Sequence, residues 1–264
     1  MRADNEGFLK LKMNCDIITD PKNLSKIVDR LEAFLASLSQ ERFINVNITT
    51  LDMKVPSMKY SIFDFECDYP KVLGVCISNT IYQVYMTEKN EVVRTKFFRA
   101  IYTVLSILRD FYIITFSNYE SSFIYNTLYY ELQKDDPKLD LSFFERLQLI
   151  NVQMKHRTYE ALIAAVISLS IEPYPDPILR DTKKMEVFFE DQQFDLILTH
   201  NISCLINSLY VLFFRFFRQN LALHEVTISP SHTITYFKSH TCGYEHRSKV
   251  KPFHIIRRWT DTPA

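Results

Sequence analysis

The alternation of apolar and polar side chains divides residues 60–133 into a regular series. Three strand-like runs follow closely at 60–66, 72–78 and 80–87, separated by DYPK and SNT, and predict a meander of hairpins. The segment EVVRTKFFRAIYTVLSILRD then switches to helical spacing, with Val93, Phe97, Ile101, Val104 and Leu108 on one side. FYIITFS predicts a fourth strand and YESSFIYNTLYYELQ a second helix. The order is β-β-β-α-β-α.

On either side the pattern is looser. Residues 8–50 predict a small α+β unit: a strand in FLKLKMNCDII, a helix in NLSKIVDRLEAFLASLS and a strand in RFINVNITTLD. The helix has an Asp20–Pro21 start and an apolar face of Ile27, Leu31, Phe34 and Leu35. KVPSM at 54–58 reads as a linker. Beyond the central series, helices are expected at about 139–154 and 158–170, and the three prolines around 172–177 (EPYPDP) predict a turn. A long helix is expected from about Phe194 to Arg218, with an apolar ladder Leu198, Ile202, Leu205, Leu209, Leu212 and Phe216. Residues 221–264 suggest a strand pair in EVTISPSHTITYFK and a basic tail. Three units result: an α+β extension over 1–58, a core over 59–218 and an appendage over 219–264.

Composition narrows the classes. Of 264 residues 47% are hydrophobic and 23% charged, as in globular proteins. Lys+Arg and Asp+Glu are both 31, so no global basic field marks a nucleic-acid coat. Three glycines in the whole chain exclude the glycine-rich phosphate loops of Walker and Rossmann sites. The cysteines at 15, 67, 76, 204 and 242 are odd in number and irregular in spacing, and Met1–Lys10 is polar rather than a signal peptide. Both features predict reduced thiols and a cytoplasmic, intracellular protein. The longest apolar run, 205–217, contains Asn207 and Arg215 and is too short to cross a bilayer, so no membrane partner is expected.

The chemistry begins in YSIFDFEC. Side chains alternate along a strand, so Asp64 and Glu66 share one face while Phe63, Phe65 and Cys67 share the other. Two carboxylates this close repel unless the strand face is exposed or a cation is present, and a divalent metal favours both ionised forms. After the fourth strand, ITFSNYESSFI places Asn118 and Glu120 at a strand-to-helix junction.

Asp-x-Glu in the first strand, an acid opening the helix after the fourth, and the β-β-β-α-β-α order together resemble the ribonuclease H-like superfamily, in particular its DEDD-type 3′–5′ exonucleases. Tyr119–Glu120 is similar to the Tyr-Glu pair found at that place in some branches. The resemblance covers roughly residues 59–218 and implies an α/β fold with a mixed sheet flanked by helices. It further implies Mg²⁺ or Mn²⁺ held by Asp64, Glu66 and Glu120, and His200 as a water-positioning group or general base. The family's last motif is an Asp preceded by Tyr-Asn on a late helix. Here His200–Asn201 stand for Tyr-Asn and Cys204 for the Asp, and a thiol is a poor ligand for hard Mg²⁺. Asp195, or Asp191 just before it, is the nearest acid that could substitute. The departure leaves an exonuclease of weakened or lost activity beside a non-catalytic nucleic-acid-binding or protein-interaction module. A structural or assembly protein of unrelated α/β fold is a third class.

Two further groups stand outside that frame. His240, Cys242 and His246 match no zinc-finger spacing and read as an ordinary loop. In HRSKVKPFHIIRRW the cations Arg247, Lys249, Lys251, Arg257 and Arg258 interleave with Phe253 and Trp259, without an acid. Together with Asn118, these cations and Trp259 are the expected contacts to single-stranded or frayed nucleic acid.

Overall fold

Residues Tyr60 to Met86 fold as the expected meander. In the computed structural model, which describes residues 21–51, 59–151, 159–168, 172–178, 184–212, 221–229, 232–239 and 256–258, three strands pair antiparallel. They are β2 (Tyr60–Glu66), β3 (Val72–Ile77) and β4 (Thr80–Met86). A two-residue turn joins β3 to β4, with Ser78 at φ 53°.

The helix after the meander is α2 (Glu91–Ile107), started by Asn90, whose side-chain oxygen accepts from Val93 N at 2.9 Å. Its buried face contains Val93, Phe97, Ile101, Val104 and Leu105. β5 (Tyr112–Thr115) then runs parallel to β2. The following helix is α3 (Asn118–Phe123), continued through a π-helical turn at Ile124–Leu128 into α4 (Tyr129–Asp135).

The expected N-terminal unit joins this same body. Its helix α1 (Pro21–Leu38) packs Leu24, Leu31 and Leu35 into the main core, and its strand β1 (Ile44–Thr50) pairs antiparallel with β4 from end to end. The strand expected in FLKLKMNCDII and the KVPSM linker lie outside the described residues.

Residues 139–154 depart from expectation. Instead of a helix, the described part of this stretch, 139–151, forms a 3₁₀ turn at Ser142–Arg146 and a strand, β6 (Gln148–Asn151), parallel to β5. Leu147 and Leu149 are buried while Gln148 is half-exposed, a period of two that suits a strand. The mixed sheet therefore runs β1-β4-β3-β2-β5-β6, with β9 (Ile256–Arg258) parallel on β6. β7 (Leu221–Ser229) and β8 (His232–Ser239) form the expected separate hairpin.

Helices cover both faces. One face of the sheet, with Phe63, Phe65, Leu73, Val75 and Val84, packs on α1 to α4. Over the other lie α5 (Tyr159–Ser168), α6 (Met185–Glu190) and α7 (Phe194–Tyr210), with α7 lying against β2, β3 and β4 and α5 and α6 against α7. The long helix expected to reach Arg218 is described as far as residue 212. Because β2, β5, β6 and β9 are mutually parallel, their C-terminal ends meet at one edge of the sheet, where α/β proteins place their sites.

Candidate active site

Asp64 belongs to a polar row that crosses four strands. Pairing sets Asp64 opposite Gly74, Gly74 opposite Gln83 and Gln83 opposite Asn47, so all four lie on the face that α7 covers. A Cβ at Gly74 would lie 2.0 Å from Asn201 Oδ1 and 2.7 Å from Leu205 Cδ1. The missing side chain is what lets α7 come this close to the sheet.

Asn201 occupies the space. Its Nδ2 donates to Asp64 Oδ2 at 2.8 Å and to the Asp64 carbonyl at 3.2 Å, while its Oδ1 accepts from Gln83 Nε2 at 2.8 Å. Gln83 Nε2 also donates to Leu198 O at 2.8 Å, and Gln83 Oε1 accepts from Asn47 Nδ2 at 2.7 Å. Since each amide must donate on one side and accept on the other, the relay fixes every amide and aims one Asp64 oxygen at Asn201.

Glu66, two residues along the same face, is buried. Its Oε1 has no hydrogen-bond partner among the described residues. Burial raises the Asp64 and Glu66 carboxyls, and Glu66 further through the Asp64 charge; His200 and Asn201 relieve part of the cost at Asp64.

Glu120 arrives from α3. Ser117 caps that helix: its Oγ accepts from Tyr119 N at 3.0 Å and donates to Glu120 Oε2 at 2.9 Å. Burial, and then the charge of Asp64, push the Glu120 carboxyl up to about 8. Tyr119 ties the two carriers together. Its hydroxyl is bonded to the carbonyls of Cys67 at 2.6 Å and Asp68 at 3.0 Å, where Cys67 takes a left-handed φ of 78° just after β2. No Lys or Arg among the described residues pairs with Asp64, Glu66 or Glu120. The buried Lys71 is already held by Glu186 at 2.5 and 2.7 Å.

The last side of the site comes from α7, where His200 and Cys204 are one turn apart and share a face. His200 Nδ1 lies 2.8 Å from Asp176 Oδ2; Nε2 lies 3.6 Å from Cys204 Sγ and 3.8 Å from Glu66 Oε1. Asp176 is placed by its backbone. Tyr174 N donates to Asn207 Oδ1 at 2.9 Å and Ser203 Oγ donates to Tyr174 O at 3.2 Å, docking the proline-rich segment on α7. Asp176 Oδ1 then accepts from Ile178 N at 2.9 Å. The donor atoms of Glu66, His200 and Cys204 all lie within 4.8 Å of one another, so this buried group could hold a metal ion. Burial, followed by the Asp64 and Glu66 charges, holds the Cys204 thiol well above its usual range.

Of the expected site residues, Asp64, Glu66, Glu120 and His200 converge. Asp195 does not: it is exposed in the first turn of α7, beside Tyr85, more than two turns from Cys204, and Asp191 is exposed at the end of α6. Asn118 opens α3 by its backbone, and Arg257 and Arg258 stand in register with Ile150 and Asn151, Arg258 at the sheet edge that carries the site. Arg247, Lys249, Lys251 and Trp259, and the His240, Cys242 and His246 loop, lie outside the described residues. Sequence reasoning missed Asp176, Gln83, Asn47 and Gly74. A glycine inside a strand, in a chain with three, was the available signal of a close approach.

No helix among the described residues is long and apolar enough to cross a membrane. Comparison with protein-family models, curated proteins and solved structures found no match.

Proposed function

We propose that this chain is a metal-dependent nuclease of ribonuclease H-like type, acting in the 3′–5′ direction on the ends of single-stranded or frayed DNA or RNA. The observation that carries it is the gathering of Asp64, Glu66 and Glu120, the last two buried and Asp64 partly so, with no Lys or Arg paired to them among the described residues. The β-β-β-α-β-α order from β2 to α4 supports the ribonuclease H-like type.

The oxygen donors the resemblance implies share Glu66 with the group whose ligand atoms lie within 4.8 Å of one another, Glu66, His200 and Cys204. Glu66 Oε1 is buried without a hydrogen-bond partner among the described residues, and raised carboxyls are what a cation would return to their charged forms. Asp64, Glu66 and Glu120 would hold Mg²⁺ or Mn²⁺, which when bound supplies Lewis-acid activation of water and neutralises phosphate charge. The protein's own part is orientation and proton transfer. Asn201 aims Asp64, Ser117 steadies Glu120, and Asp176, set against His200 Nδ1, would make Nε2 the nitrogen that takes a proton from an attacking water. The strand register of Arg257 and Arg258 beside Ile150 and Asn151 supports a nucleic-acid partner, since such cations suit a phosphate backbone.

Cys204 favours a second reading, a nucleic-acid-binding module that kept the fold without the chemistry. Mn²⁺ calorimetry paired with a single-strand degradation assay, on wild type and Asp64→Ala, decides between them. Binding and degradation that are both lost in Asp64→Ala support the nuclease; Mn²⁺ binding without degradation supports the module. A wild type that binds no Mn²⁺ overturns the metal site.

A further inference from the structure

Glu66, His200 and Cys204 offer one oxygen, one nitrogen and one sulfur to a common point. That mixture is wrong for Mg²⁺, which takes oxygen donors, and right for ions of the zinc class. The spacing agrees. With Zn–S of about 2.3 Å and Zn–N and Zn–O of about 2.1 Å, tetrahedral donors stand roughly 3.6 Å apart for S···N and 3.4 Å for N···O. Adjacent donors around octahedral Mg²⁺ would stand only about 2.9 Å apart. The observed separations are 3.6 Å for Cys204 Sγ to His200 Nε2 and 3.8 Å for His200 Nε2 to Glu66 Oε1.

Two independent observations point the same way. Glu66 is 7% exposed, and its Oε1, the atom facing His200, has no hydrogen-bond partner among the described residues. His200 places its other nitrogen, Nδ1, 2.8 Å from the buried Asp176 carboxylate, the partner that metal-ligating histidines characteristically have.

We propose that Glu66, His200 and Cys204 form a site for a zinc-class divalent ion, with Asp176 as the positioning residue behind His200. Binding breaks the Cys204 S–H bond, forms an Sγ–metal bond and releases the proton to solvent. The site takes Glu66 Oε1 and His200 Nε2 as ligands, so with its ion bound His200 no longer accepts a proton there; its test does not depend on cleavage.

Cobalt(II) titration of the chelator-stripped full chain tests it, because a thiolate ligand gives a near-ultraviolet charge-transfer band and tetrahedral geometry gives strong visible absorption. Both are expected in wild type and displaced by Zn²⁺. Cys204→Ser should lose the charge-transfer band. Asp176→Asn should keep it while binding Co²⁺ about 10- to 100-fold more weakly. Should Cys204→Ser fail to fold, pulsed alkylation of the wild type with and without Zn²⁺, read by mass spectrometry, must show Cys204 as the protected thiol. A wild type without the band, a band that survives Cys204→Ser, or Cys204 unprotected by Zn²⁺ overturns the proposal. Mn²⁺ binding without the cobalt band would overturn this site and leave the nuclease reading standing. The cobalt band without degradation would do the reverse.

Discussion

Gly74 is where a single methyl group should disturb the site most. In Gly74→Ala the new Cβ would meet Asn201 Oδ1 at 2.0 Å, so Asn201 or the whole of α7 must move. Overpacking of this kind costs about 1–3 kcal/mol, and here it also breaks the Asn201–Asp64 bond. A denaturant midpoint lowered by that amount, with weakened Mn²⁺ binding, is the expected result; an unchanged midpoint would mean that α7 yields freely. Asn201→Ala separates the two effects. It leaves Asp64 without its amide donor while Gln83 keeps Leu198 O, so stability should fall by about 1–2 kcal/mol. At this scale the sequence was legible where alternation speaks. Asp64 and Glu66 were readable as neighbours on one face because a strand has a period of two, and Glu120 because an acid at a strand-to-helix junction has a place to point. Asp176 had no such pattern, since its position depends on how Ser203 and Asn207 catch the backbone at Tyr174. The expectation for Asp195 failed for the matching reason: nearness in sequence to a helical site is lost at a rise of about 1.5 Å per residue.

Among the elements, the junction of β2 with α3 carries the site, and Tyr119 is its fastener. Tyr119→Phe removes the hydroxyl held by the Cys67 and Asp68 carbonyls while keeping the ring. A loss of about 1 kcal/mol is expected, with faster amide hydrogen exchange confined to the Cys67 turn and the start of α3. Exchange that speeds up uniformly would mean that the bond supports the fold generally and not this junction. Elements with a clear period, β2 to β4, α2 and β5, are where the spacing puts them. Residues 139–154 were misread because LSFFERLQLI also satisfies helical spacing. Local hydrogen bonds at Asp140, which accepts from Ser142 N at 3.0 Å, tighten the start into a 3₁₀ turn, and parallel pairing with β5 claims the rest. Such pairing is non-local, so a window of sequence does not contain it.

For the whole molecule, a metal at the proposed site and the proton would compete for the same three carboxyls. Burial raises Asp64, Glu66 and Glu120 alike, Glu120 from 4.5 to about 8. A carboxyl whose folded value lies above its unfolded one favours the fold in its protonated form. That contribution is complete below about 4.5 and is lost as pH rises through about 8. The metal-free protein should therefore lose stability between pH 5 and 8, by an amount on the order of a few kcal/mol shared among the three groups. A divalent ion favours the ionised forms, so its stabilisation must grow over the same range. Thermal melts at pH 5 and pH 8, with and without Mn²⁺, should show the metal-dependent rise in Tm mainly at the higher pH. Glu120→Gln should flatten the metal-free profile, because the amide cannot ionise on unfolding or in the fold. A wild-type profile that is equally stable at both pH values without metal would mean that the carboxyls are not packed against one another. The ionic site would then have no protonated ground state to displace.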